Sequence, residues 1–289
     1  MNIALSITKF RRTKLNKYIG NRVVAGAEYT GIKKRLNNLQ CDIEQLSLSV
    51  PNLPPELAGI CLAQISDIHL GEHFHPEHLY EAITVLNQLA PAYVLMTGDY
   101  VTDHARYAQG LIEPLRHLHS PTFAVLGNHD CYCGADEVAN ALAETPVRLM
   151  RNQSLELHPG LWLAGLDDIL RGRPNLAATL RPIPQDAATV LMVHEPDFFN
   201  RVVQEQAPVY LQLSGHTHGG QIRIPKLRAN VQPSQTWAPV LPALGREYSI
   251  GLYSVGQRQV YINRGLGFTG WPIRFNCRPE ITLITLEPA

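Results

Sequence analysis

Asp67 and His69 stand two positions apart, as do His216 and His218, and Asp99, Asn128 and His194 offer three further oxygen or nitrogen donors. On extended backbone, alternate side chains leave the same face, so each pair is expected to aim two donors at one place. Carboxylates, a carboxamide and imidazoles form a mixed N/O set that suits Mn, Zn or Fe and lacks the thiolates of a structural zinc site. Two Asp, one Asn and four His exceed what a single four-coordinate ion with an open position uses, so two ions are expected.

The elements that must position these residues are short apolar runs at 60–66, 93–97, 122–126, 189–193 and 209–214, each ending where a candidate ligand begins. Further runs fall at 161–166, 253–255, 260–262 and 281–286, and helix-period stretches at 76–89, 107–119, 136–144 and 196–206. This alternation reads as a layered α/β domain, with ligands delivered at the carboxyl ends of strands, where open α/β sheets place their sites. Residues 1 to about 50 are polar and weakly patterned, the Pro51 to Pro55 cluster punctuates the start of denser patterning, and residues 1–41 are set apart as a basic, partly flexible extension from a domain placed at 42–289.

Asp67-x-His69, Gly98-Asp99, Gly127-Asn128-His129-Asp130, His194 and Gly215-His216-x-His218 resemble the five ordered motifs of the calcineurin-like metallophosphoesterases, over roughly residues 58–286. The resemblance implies a four-layer α/β/β/α sandwich of two mixed sheets flanked by helices. It assigns Asp67, His69 and His218 to one divalent ion and Asn128, His194 and His216 to a second, with Asp99 bridging. Mn2+ is the expected metal, Zn2+ or Fe the alternatives. The implied reaction is attack of a dimetal-activated water on phosphorus, with His129 protonating the leaving oxygen and Asp130 orienting His129. Gly98 to His104 departs from the Gly-Asp-x-x-Asp-Arg-Gly of protein phosphatases, and the Arg-Gly that would help bind a phosphoprotein is missing. The wording around the motifs, including Asn263-Arg264-Gly265-Leu266-Gly267, is closer to bacterial phosphodiesterases and enzymes resembling UDP-2,3-diacylglucosamine pyrophosphatase. The expected substrate is therefore a small phosphoester or a nucleotide-lipid, the latter needing an apolar groove that residues 225–242 with Trp237, Phe268 and Trp271 could wall. A phosphoesterase-fold scaffold without activity would show degenerate ligands, and all seven are intact.

Plainer roles stand beside these. Asp67 and Asp99 could cap helices, Asn128 could serve a turn, and Asp130 could be only a cap. His73, His75 and His78 read as solvated loop and helix positions, Asp167 and Asp168 as structural, and Cys131 and Cys133 as packing. Arg264 is read either as a phosphate-binding guanidinium or as a structural one.

The chain has 289 residues, 45% of them apolar, and a formal net charge of zero, so nothing in the overall balance recruits nucleic acid. Five cysteines imply no disulfide framework and fit a reducing, cytoplasmic setting. No run approaches the ~20 apolar residues of a membrane span. Phe10-Arg11-Arg12 is followed by no apolar region, which argues against an export signal. Basic residues between Lys9 and Arg22, interleaved with Phe10, Leu15 and Ile19, could rest on the anionic inner face of a membrane.

Overall fold

The computed structural model describes residues 41–224, 238 and 241–289; the basic extension and most of the 225–242 segment, Trp237 included, lie outside the described residues. Among the described residues, twelve strands form two six-stranded sheets. The first has the order β1 (Asp42–Val50), β12 (Glu280–Pro288), β2 (Ile60–Ile65), β3 (Tyr93–Met96), β4 (Thr122–Ala124) and β5 (Arg148–Leu149). The second has the order β10 (Gly251–Val255), β11 (Arg258–Ile262), β9 (Leu211–Ser214), β8 (Ala188–Met192), β7 (Leu161–Gly165) and β6 (Gln153–His158). Strands β2 to β5 run parallel, and so do β7, β8, β9 and β11; β12 meets β2, and β6 and β10 meet their neighbours, antiparallel.

Period-two alternation explains the layers. In β2, Leu62 faces the second sheet while Ala63 and Ile65 face helices α1 (Pro76–Leu89), α2 (Gln109–Arg116) and α3 (Asn128–Ala143). Leu46, Leu48, Leu95 and Val125 of the first sheet's inner side pack on Leu163, Val190, Leu211 and Leu213 of the second. The outer face of the second sheet is covered by α4 (Leu176–Leu180) and α5 (Phe199–Gln204) through Leu176, Phe199 and Val202. Two mixed sheets thus share a core and carry helices outside, the four layers that the motifs imply.

Three differences from the sequence reading bear on the site. β1, in a stretch read as weakly patterned up to residue 50, pairs in parallel with β12 through nine residues. α3 starts at Asn128 and not at 136, so the third motif is the first turn of a helix, kinked at Gly134 with φ 145°. The stretch 196–206 divides into a 3-10 turn, Pro196–Phe198, and the short α5. Among the described residues no helix is long and apolar enough to cross a membrane.

Leu213 is fully buried between the sheets. Leu213→Ala should lower the unfolding free energy by about 2–5 kcal/mol, read as a lower urea midpoint at unchanged slope.

Candidate metal centre

All seven candidate ligands come together where the two sheets meet at their carboxyl edges. Asp67 and His69 follow β2, Asp99 follows β3, and Asn128 opens α3 after β4, all from the first sheet. His194 follows β8, and His216 and His218 follow β9, from the second. Asp67, His69, Asp99, His194 and His218 are at most 2% exposed.

The i, i+2 pairs do not converge for the reason expected from extended backbone. Asp67, His69, Asp99, His216 and His218 have φ of 48°, 50°, 57°, 67° and 50°. This is left-handed backbone, costing a non-glycine residue roughly 1–2 kcal/mol each. Such backbone turns the chain sharply after the strand and points consecutive donors inward. Glycine makes the approach possible at two places: a Cβ on Gly127 would strike Asp99 Oδ1, and one on Gly215 would strike Asp67 Oδ2.

Donor atoms of Asp67, His69 and His218 lie within 4.8 Å of one another, as do those of Asp99, His194 and His216. His218 Nε2 is 3.3 Å from Asp67 Oδ1 and 3.0 Å from His69 Nε2. Asp99 Oδ2 lies 3.4 Å from His69 Nε2 and 3.1 Å from His194 Nε2, so one carboxylate oxygen touches both groups. Its other oxygen accepts the His129 backbone N–H at 2.8 Å. His194 Nδ1 lies 2.7 Å from the Thr97 carbonyl oxygen, which can only accept, so Nδ1 carries a proton and Nε2 is the donor atom turned to the site.

A test of fit comes from atoms left without partners. His216 Nε2 and Asn128 Oδ1 are buried with no hydrogen-bond partner among the described residues, and His194 Nε2 has none beyond its approach to Asp99. Buried polar atoms are normally satisfied, and three lone pairs orphaned beside a carboxylate are what a cation would satisfy. Electrostatics agree. Burial lowers the proton affinity of His216, to about 3, with His194 adding to the effect, and burial and His69 hold His218 well below the usual imidazole range, so both keep their lone pairs. Burial opposes charge on Asp99 and His194, but their mutual attraction overrides it, holding Asp99 well below the usual carboxylate range and His194 well above the imidazole one. A proton on His194 and a divalent ion therefore compete for one place.

His129 stands beside the ligands, its ring centroid 4.7 Å from that of His69. Asp130 does not orient it. The Asp130 carboxylate accepts the backbone N–H groups of Asp99, Tyr100, Val101 and Gly127 at 2.9, 2.7, 3.2 and 2.9 Å. Burial, with the charge of Asp99, raises its proton affinity, and the amides oppose this by favouring the carboxylate. His129 Nδ1 sits instead 2.5 Å from the Thr102 carbonyl oxygen, while Thr102 Oγ1 donates to the His69 carbonyl. Because the partner is a backbone carbonyl, the identity of residue 102 gave no signal for it.

Other residues take structural roles. Arg264 is not a phosphate ligand: Asp42, Glu44 and Glu280 surround its guanidinium. Its neighbours Leu266 and Gly267 donate N–H groups to the Ser66 and Asp67 carbonyls at 3.0 and 2.8 Å, bracing the first ligand loop. Asp167 pairs with Arg151 at 3.0 Å, and Asp168 accepts the Arg171 and Gly172 amides. His75 N–H donates to His78 Nδ1 at the start of α1, and His73 lines a side cavity with Glu72 and Phe74. All five cysteines are free; burial pushes the Cys131 and Cys133 thiols up, the latter to about 11, away from a thiolate.

The calcineurin-like phosphoesterase family matches residues 62–220, a span that holds all five motifs from Asp67 to His218. An uncharacterized metallophosphoesterase of Bacillus subtilis, YkuE, is 32% identical over 98% of both chains. The chain belongs to the calcineurin-like metallophosphoesterases. Members of this family use divalent metal ions, and the clustered donors above form the candidate site. Among other metallophosphoesterase relatives, the phosphodiesterase YaeI of Escherichia coli is 28% identical, over 77% of this chain and 80% of that one. This chain spans 63% of a Campylobacter jejuni metallophosphoesterase at 31% identity. A solved structure, TT1561 of Thermus thermophilus, superposes with a TM-score of 0.48 at 11% identity, over 71% of this chain and 89% of that one.

Asp130→Ala strands four buried amides, and unfolding should become easier by on the order of 3 kcal/mol or more. A thermal midpoint unchanged from the parent chain would contradict the role given to this carboxylate.

Proposed function

We propose that the chain is a two-metal phosphodiesterase, with Asp67, His69 and His218 holding one ion, Asn128, His194 and His216 the other, and Asp99 shared. The observation that carries this reading is the convergence of three orphaned buried donors and a second donor triad on the single carboxylate of Asp99. Bound ions would supply Lewis acidity toward the phosphoryl oxygens and would acidify water. Hard and borderline N/O donors without thiolate suit Mn2+, with Zn2+ or Fe the alternatives.

The remaining work falls to the chain's own side chains. His194 is held by Thr97 in the tautomer that frees Nε2. His129, anchored through Nδ1–H to Thr102, keeps Nε2 for the cavity, able to hold a proton there and pass it to a leaving alkoxide. Asp130 fixes the turns that carry Asp99 and Asn128.

Preference for a diester rests on the lining. Asp99, Asn128, His129, His216, His218, Leu241, Pro242 and Thr269 line a cavity of about 250 Å3, with no Lys or Arg lining it among the described residues. A monoester dianion usually recruits a guanidinium. A diester carries one charge and a second substituent, which the apolar edge of Leu241 and Pro242 accommodates. The name of the YaeI relative supports the same class. The nucleotide-lipid substrate has no comparable support, since most of residues 225–242 lie outside the described residues. Free thiols fit a reducing compartment, and we place the activity in the cytoplasm.

With Mn2+, the chain should hydrolyse bis-p-nitrophenyl phosphate faster than p-nitrophenyl phosphate. Asp99→Ala should lose at least about 1,000-fold in kcat and His129→Gln about 100- to 10,000-fold, with bound metal retained in the latter. Full activity in Asp99→Ala would refute the shared-ligand assignment, and turnover of neither ester would refute the enzyme reading.

A further inference from the structure

At an ordinary surface the charged side chain faces out and the apolar one in. Two adjoining segments do the reverse. Trp271, Ile273 and Phe275 are 71%, 52% and 53% exposed, while Arg274 between them turns inward and donates to the carbonyl oxygens of Gly267 and Arg264 at 2.6 and 2.9 Å. Beside them Arg223 is buried, Nη1 donating to the Gly219 carbonyl at 2.6 Å, and Ile224 is exposed. The segments are joined, Phe275 N–H to the Gln221 carbonyl at 2.8 Å and Arg223 N–H to the Phe275 carbonyl at 2.9 Å, so the exposed apolar residues sit on two paired stretches of backbone. The Gln221 amide exchanges two hydrogen bonds with Thr269, which lines the metal cavity. The apolar face therefore adjoins the mouth of the site.

The sequence near this face is basic: from residue 206 to 279 it carries eight Lys or Arg and a single acid, Glu247. Three of the eight are held within the fold, Arg223 and Arg274 by backbone carbonyls and Arg264 by Asp42, Glu44 and Glu280. Arg246 is exposed, Arg278 is exposed with Asp42 at 3.8 Å, and Lys226 and Arg228 follow Ile224 in sequence.

We propose that the face formed by Ile224, Trp271, Ile273 and Phe275 docks on an anionic lipid bilayer. Trp, Ile and Phe enter the headgroup boundary, and the surrounding cations meet anionic headgroups. Against a second copy of the same face, like charges would meet like. The docked chain presents its metal cavity beside the membrane surface.

Flotation of the full chain tests this without reference to turnover. The protein should float with vesicles of phosphatidylglycerol and phosphatidylcholine and stay behind with phosphatidylcholine alone. The combined Trp271→Ser, Ile273→Ser and Phe275→Ser variant should partition at least about tenfold less at an unchanged unfolding midpoint. With Trp162→Phe and Trp237→Phe, Trp271 becomes the sole tryptophan; its emission should shift to the blue and its acrylamide quenching fall when anionic vesicles are added. Equal binding by the serine variant, or absence of binding by the parent, overturns the proposal. So does a Trp271 already shielded from acrylamide before vesicles are added, because another part of the chain or a second copy then covers the face.

Discussion

The contact on which the rest depends is that between Asp99 and His194, 3.1 Å apart. Asp99 leaves the first sheet after β3 and His194 the second after β8, so this pair ties the two halves of the sandwich at their carboxyl edges. Taking a carboxylate to 2% exposure is costly without a positive partner. The surroundings answer with nitrogen donors from both sheets, and a cation of some kind, a proton or a metal ion, completes them. Leu46, Leu163 and Leu213 in the shared core fix the distance between the sheets, and with it the distance between these two side chains.

Local backbone strain is the second constraint. Five of the seven candidate ligands occupy left-handed backbone, at a summed cost of several kcal/mol that isolated loops could not bear. The structure holds them from outside. Asp130 gathers four amides from two turns, and Leu266 and Gly267 clasp the Ser66 and Asp67 carbonyls. The His216 amide meets the Asp67 carboxylate at 3.0 and 3.1 Å, locking the first loop to the last across 149 positions of sequence. Ligands placed this way are set before any ion arrives, which is the preorganisation that metal catalysis uses.

Much of this was legible in the residues. Apolar runs ending in Asp67, Asp99, Asn128, His194 and His216 placed the ligands at strand ends, because a buried parallel strand must be apolar and must stop where polar groups begin. What escaped has physical reasons. In β1, Leu46, Leu48 and Val50 alternate correctly, but Glu44 and Gln45 interrupt the pattern, and Glu44 is there to meet Arg264 from a turn distant in sequence. Asp130 read as a partner of its neighbour His129 because adjacency is visible in a sequence, whereas its real partners, the amides of Gly127 and of Asp99 to Val101, carry no side-chain signature. The same holds for the Thr97 and Thr102 carbonyls that set the histidine tautomers. Arg264, in a glycine-rich turn, is neutralised by three carboxylates that only the β1–β12 pairing brings near.

Two ions sharing one carboxylate are the centre proposed for this chain, and crystals grown with Mn2+ test that sharing most directly. Anomalous difference maps should show two peaks per chain, one among Asp67, His69 and His218 and one among Asn128, His194 and His216, both within bonding distance of Asp99 and about 3.5–4 Å apart. A single peak, or a pair of which only one lies against Asp99, would contradict the shared-carboxylate centre.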